Sequence, residues 1–290
     1  MRPTVQTFFD PATFTATHLV SDPATGMAAL IDPVLDYEPK WAKVSTGSAD
    51  VVLLAVADQG LKLLYVLETH VHADHLSAAD YIRGKTGAKV AIGARITDIQ
   101  KVFIPLFEAD DLQPDGAQFD LLLTNENTLA LGELRIGVMQ TPGHTPACVT
   151  YLIGDAAFTG DTMFMPDYGT ARTDFPGGEA RTLYRSIRAI LDLPPATRLF
   201  LGHDYLPPKG RNFPAWETTV ADQRAHNLHI HDGITEDAFV ALREARNALL
   251  APPTLILPSL QVNIRAGALP PAGKSGRVFL KLPVTVANAG

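Results

Sequence analysis

Apolar positions along the chain fall into two rhythms. Residues 5–9, 14–20 and 27–31 are rich in β-branched and aromatic side chains, separated by Asp10-Pro11 and by Asp22-Pro23-Ala24-Thr25-Gly26. They predict a meander of strands divided by turns. Residues 34–47, with Pro39 and Gly47 as breakers, read as loop. Ser48-Ala49-Asp50 offers a cap for a helix running to about Gln59, with Gly60 as its stop. The apolar run Leu63-Leu64-Tyr65-Val66-Leu67 predicts a buried strand. Leu76, Ala79 and Ile82 then share one face of a helix reaching Gly84, and residues 89–92 form another short strand.

The second half alternates similarly. A helix over 96–107 is interrupted by Pro105 and followed by an acidic loop. Strands are expected at 119–123, 128–131 and 133–140, then a hairpin of 149–153 and 156–159 turning over Gly154-Asp155. Residues 165–178 form a long loop before a helix over 179–191, and 198–201 is a strand. Helices are predicted over 216–227 and 236–249, and the Pro- and Gly-rich tail carries one strand at 260–264. Strand–helix–strand alternation after an antiparallel start implies an α/β fold with mixed sheets. No internal repeat is visible.

Composition narrows the class. The 290 residues are 46% hydrophobic and 19% charged, as in ordinary globular domains. With 24 Lys and Arg against 31 Asp and Glu, the net charge of −7 offers no field for nucleic acid or an anionic membrane. The single cysteine, Cys148, excludes an internal disulfide framework, and no run is long and apolar enough to span a bilayer. A cytoplasmic address is the expectation.

Chemistry concentrates in Glu68-Thr69-His70-Val71-His72-Ala73-Asp74-His75, where a strand gives way to a helix. While the chain stays extended, His70, His72 and Asp74 point the same way and can converge on one point, and His75 can aim at an adjacent one. Imidazoles and a carboxylate gathered at a strand end are metal-site chemistry. One such loop is weak evidence; three more follow predicted strands. Gly143-His144, Gly160-Asp161 and Gly202-His203 each set a ligand type beside a residue that permits a tight turn.

In these loops the chain resembles the metallo-β-lactamase superfamily, whose His-x-His-x-Asp-His loop and three later ligand loops match over roughly residues 4–205. The resemblance implies an αββα sandwich of two mixed β-sheets flanked by helices, with residues 1–210 as that domain and 211–290 as a helical and extended segment packed on it. Glu68 to His75, Gly160-Asp161-Thr162-Met163-Phe164 and Ala171-Arg172-Thr173-Asp174-Phe175 are similar to the persulfide dioxygenases. The longer bacterial members also resemble the chain around Met165 to Thr170 and Pro258 to Asn263. That likeness implies one Fe(II) held by His70, His144 and Asp161. His72, Asp74, His75 and His203 then line the site and orient its ligands, or bind a second metal if the site is dinuclear zinc as in the hydrolytic relatives. The implied reaction is oxidation of glutathione persulfide by O2 to sulfite and glutathione, in sulfide detoxification. The alternative is a zinc hydrolase of the hydroxyacylglutathione hydrolase or lactonase type, with a non-catalytic persulfide or metal sensor as a third reading. A homodimer is compatible with all three.

Substrate contacts are expected from cations and a phenol near these loops. Glutathione carries two carboxylates, so an acidic protein needs a local basic patch. Arg172 is a candidate through the family likeness, Arg211 and Arg265 through their C-terminal position, and Tyr205 through its place beside His203. Cys148 reads as a buried structural thiol, and Trp41 and Trp216 as packing residues. His18 reads as an ordinary strand residue, and His226, His229 and His231 as a solvated helix end and turn. Asp32, before Pro33, is a candidate turn cap near the site.

Overall fold

The structure, a computed structural model, describes residues 2–207 and 209–286. In chain order the elements begin with β1 (Thr4–Asp10), β2 (Thr15–Ser21), β3 (Met27–Ile31), β4 (Val34–Glu38), β5 (Lys43–Ser45), α1 (Gly47–Asp58) and β6 (Lys62–Leu67). Then come β7 (Leu76–Ser77), α2 (Ala79–Thr86), β8 (Lys89–Gly93), α3 (Ile96–Leu106), β9 (Leu121–Leu123), β10 (Thr128–Leu131) and β11 (Leu134–Gln140). The last are β12 (Val149–Ile153), β13 (Ala156–Gly160), α4 (Ala180–Leu191), β14 (Arg198–Leu201), β15 (Glu217–Thr219), α5 (Val220–His226), α6 (Glu236–Asn247) and α7 (Ile256–Asn263).

Two six-stranded sheets form, ordered β1-β2-β3-β6-β8-β9 and β10-β11-β12-β13-β14-β15. Both are mixed. The first is antiparallel through β3 and parallel from β3 to β9; the second is parallel only at β13–β14. Strand alternation assigns the layers. In β3, β6 and β8, Ala29, Ile31, Leu67 and Ala91 face the inter-sheet core with Tyr151 and Phe158, while Ala28, Leu30, Val66, Val90 and Ile92 face the helices α1, α2 and α3. In β13 and β14, Ala157, Leu199 and Leu201 pack outward on Leu183 and Ile187 of α4 and Phe239 of α6. The order is therefore helix, sheet, sheet, helix. Helix α4 starts where the Glu179 carboxylate accepts from the Arg181 and Thr182 amides.

Four local expectations fail for identifiable reasons. Residues 34–47 hold β4 and β5, not loop; β4 pairs with β7 in a small third sheet too short to show alternation. Leu76 belongs to β7, and the helix starts only at Ala79. The predicted helix over 216–227 opens as β15 on the sheet edge, because Thr219 caps α5 by accepting from the Asp222 amide. The strand expected at 260–264 is the end of α7; a short run buried on all sides carries no period to separate strand from helix. Pro258 is tolerated there, near the helix start. Trp41 is 82% exposed, not packed, whereas Trp216 stacks on Phe9. No helix among the described residues is long and apolar enough to cross a membrane.

Candidate metal centre

Four strand ends deliver the cluster to one edge of the sandwich: β6 leads into residues 68–75, β11 into His144, β13 into Asp161 and β14 into His203. A backbone bridge between Thr15 and His203 ties β2 to the same edge. Gly160 sits at φ 51°, and a Cβ there would collide with the Thr69 side chain, so only glycine brings the β13 end this close to the β6 loop.

His70 Nε2, His144 Nε2 and Asp161 Oδ2 converge within 4.8 Å of one another, with Oδ2 at 4.0 and 3.9 Å from the two imidazoles. Each is oriented through its other polar atom. Thr69 Oγ1 donates to Asp32 Oδ2 at 2.7 Å, so its oxygen accepts from His70 Nδ1 at 3.0 Å. His144 Nδ1 donates to the Arg172 carbonyl at 2.8 Å, and Asp161 Oδ1 accepts from His203 Nδ1 at 2.6 Å. This is the outer support that metal-ligating histidines and carboxylates use. His70 Nε2 is buried and has no hydrogen-bond partner among the described residues. Burial, with His72 and His144 alongside, holds His70 well below the ordinary imidazole range, in the neutral form that binds a cation. An orphaned, neutral, buried nitrogen facing a second imidazole and a carboxylate fits a divalent ion.

The remaining candidates are differently engaged. Both ring nitrogens of His203 face carboxylates, Asp161 through Nδ1 and Asp74 at 2.5 Å through Nε2. Burial opposes its charge, but the two carboxylates outweigh it and lift His203 to about 10. His72 Nε2 lies 3.0 Å from Asp32 and 3.4 Å from Glu68, while His75 Nδ1 lies 3.4 Å from Asp74 and 3.3 Å from Thr15 Oγ1. Burial works against the Asp32 charge, yet His72 brings its carboxyl down to about 2. Asp32 adopts φ 50° and receives the Thr69 amide at 2.7 Å, so its role is larger than a turn cap. His72, Asp74 and His75 also converge as a group, beside the first.

A cavity of about 520 Å³ opens over His144, Asp161 and Asp74. Tyr205 and Arg172 line it. The Tyr205 ring stacks on His203 at 5.5 Å, and its hydroxyl has no partner among the described residues. Burial, then Asp74 and Asp161, push the phenol well above its ordinary value, so it remains a donor. Arg172 grips Asp174 through Nε and Nη2, both at 2.6 Å, and gives Nη1 to the Ala251 carbonyl. Arg211 and Arg265 do not line this cavity: Arg211 holds Asp167 and Asp204, and Arg265 holds Asp111 and the Gln261 carbonyl. Cys148 is buried, and burial pushes its thiol to about 12.

Several contributors carry no mark in the sequence pattern. Arg243 and Arg246 line the cavity from α6, and their i, i+3 spacing is the one available signal. Thr69 and Thr15 act through hydroxyls, which no ligand pattern marks. His229, expected to be solvated, is buried and accepts from the Thr170 amide; burial first, then Arg246 and Arg243, hold it at about 4. His226 is exposed, as expected.

The chain is similar to several known proteins. Residues 16–203 match the family model described as the metallo-beta-lactamase superfamily. A protein of Burkholderia pseudomallei named "Probable metallo-hydrolase" is 54% identical over 97% of the chain and 99% of its own length. The human mitochondrial persulfide dioxygenase ETHE1 is 32% identical over 68% of the chain and 66% of its length. The crystal structure of ETHE1 from Myxococcus xanthus superposes with a TM-score of 0.73 at 32% identity, covering 91% of the chain and 100% of that protein.

Proposed function

The chain belongs to the metallo-β-lactamase superfamily, and from that premise we propose that it is a mononuclear Fe(II) persulfide dioxygenase acting on glutathione persulfide. The observation that carries the reading is the asymmetry of the cluster. His70, His144 and Asp161 point three oriented ligand atoms at one place, whereas Asp74 and His203 are directed at each other. Two imidazoles and one carboxylate on one face are the non-haem iron oxygenase set. Likeness to the human and Myxococcus proteins agrees with it.

His70 Nε2, His144 Nε2 and Asp161 Oδ2 would hold the iron, which would supply the redox chemistry that joins a persulfide sulfur to O2. The balance is one glutathione persulfide, one O2 and one water giving glutathione, sulfite and two protons, the outer sulfur being oxidised as O2 is reduced. Tyr205 lines the cavity and stacks on His203, whose two ring nitrogens face Asp74 and Asp161. Phe14, Phe164 and Leu250 add apolar surface to the cavity walls.

A second reading, a dinuclear zinc hydrolase, draws on the convergence of His72, Asp74 and His75 and on the metallo-hydrolase name of the Burkholderia relative. Protein loaded with iron or with zinc, given glutathione persulfide in an oxygen electrode, separates the two. O2 uptake with matching sulfite, only with iron, is expected. Thioester hydrolysis with zinc and no O2 uptake with iron would sink the dioxygenase reading.

A further inference from the structure

Most arginines in the described residues sit within 4.0 Å of a carboxylate, including Arg172, Arg211 and Arg265. Arg243 and Arg246 do not, among the described residues, yet both line the cavity over His144 and Asp161. Arg243 is only 2% exposed. Its Nε donates to Asn247 Oδ1 at 3.0 Å and its Nη1 to the Thr170 carbonyl at 2.9 Å, both neutral partners. Its Nη2 and the whole Arg246 guanidinium have no protein partner among the described residues. Burial first, then Arg246, depresses Arg243 to about 10, which leaves it charged at neutral pH. The nearby Asp174 cannot neutralise it fully, because Arg172 already grips both carboxylate oxygens. A buried cation held by two neutral oxygens, beside a second free cation, in a chain of net charge −7, is a site built for an external anion.

We propose that Arg243 and Arg246 are the specificity-determining residues that bind the carboxylate end of a peptidyl thiol, while its sulfur reaches the His70, His144 and Asp161 cluster. The planar forks of two arginines suit a carboxylate bidentately. Arg172 serves a different purpose, since its bonds to Asp174 and Ala251 fix the loop whose carbonyl orients His144. The assignment deepens the dioxygenase reading and rests on it for the identity of the thiol; the anion subsite itself can be tested without turnover.

Calorimetry on the iron-loaded full chain with S-methylglutathione, which has no thiol to ligate metal, measures the subsite directly. Affinity should fall about tenfold or more in Arg246→Glu and in Arg243→Met. S-methylglutathione diethyl ester should bind wild-type protein weakly and both variants equally weakly. Arg277→Glu, an equal charge change on an exposed residue outside the cavity, should bind S-methylglutathione as wild type does. In turnover, Arg246→Glu should raise KM for glutathione persulfide about tenfold with kcat within about twofold, and leave a carboxylate-free persulfide unaffected. Should Arg243→Met fail to fold, Arg246→Glu decides alone. Binding of the acid to Arg246→Glu at wild-type affinity, or of ester as tightly as acid to wild type, overturns the proposal. Carboxylate-dependent binding without O2 uptake from any persulfide would uphold the subsite and remove the dioxygenase reading.

Discussion

Thr69→Val is an isosteric change that tests whether the ligand cluster depends on its outer contacts. The hydroxyl stands between Asp32 Oδ2, to which it donates at 2.7 Å, and His70 Nδ1, from which it accepts at 3.0 Å. Without it, His70 loses the partner that fixes its proton on Nδ1 and aims the Nε2 lone pair at Asp161 and His144. Removing such support costs about 10- to 100-fold in metal affinity, or roughly 1.4–2.7 kcal/mol. Asp32 is 1% exposed and loses one charge-assisted hydrogen bond, keeping the Thr69 amide and His72. The metal-free protein should therefore lose about 1–3 kcal/mol. Chelator competition with ferrous iron reads the first quantity, and urea unfolding of metal-free protein reads the second. An iron affinity within about twofold of wild type would refute the relay, because the geometry leaves His70 Nδ1 no other partner in view.

Gly160→Ala must accept a positive φ and a collision with Thr69, whose Cβ would lie 2.7 Å from the new methyl; about 2–4 kcal/mol of stability and much of the iron affinity should go. Gly276→Ala, also at positive φ but in open space, should cost only about 1 kcal/mol in the same urea experiment. His18 is held at about 4 by burial against an ordinary 6.5, so between these values the unfolded chain binds more protons and stability falls as pH drops. That loss approaches about 3 kcal/mol at its limit, and His18→Gln, which can still donate to the Leu201 carbonyl, should show a shallower decline from pH 6.5 to 4; parallel curves would contradict it. Cys148, with its thiol pushed to about 12, should resist iodoacetamide at about pH 8 in folded protein and react on unfolding.

Strand ends were legible because their signals are local. A Gly-His or Gly-Asp pair after an apolar run states both the turn and the ligand type, and all three such loops meet the His70–His75 loop in space. Long amphipathic elements such as α4 were equally plain. What stayed hidden depends on distant partners. β4 has no alternation to display; it is a strand through a three-residue β5 just after it and through β7, some forty residues later. Residues 260–264 are buried on every side, so composition could not tell helix from strand. Arg265 is held by Asp111, remote in sequence, and Arg211 by the remote Asp167 together with Asp204, seven residues before it, and no sequence pattern marks either pairing. Arg243 and Arg246 carry no sequence signal beyond their spacing on a helix, and only the cavity above Asp161 gives them a meaning.

Beyond the matched span of 16–203, the C-terminal part still shapes the cluster. Asn263, at the end of α7, donates from Nδ2 to the carbonyls of His72 and His75, each at 2.8 Å, and accepts the Ser77 amide at 2.8 Å. One side-chain amide thus satisfies three buried backbone groups of the loop that carries the histidines, and nothing in solvent can replace it there. α7 is itself fixed from α3 and the acidic loop: Gln100 donates to the Ile264 carbonyl, and Arg265 grips Asp111. Earlier in the C-terminal part, on α6, Asn247 donates to Thr173 Oγ1 and Arg243 to the Thr170 carbonyl, bracing the loop whose Arg172 carbonyl orients His144. Two of the loops around the cluster are therefore held by residues after 210. A chain cut there would keep every ligand type and lose the bonds that aim them.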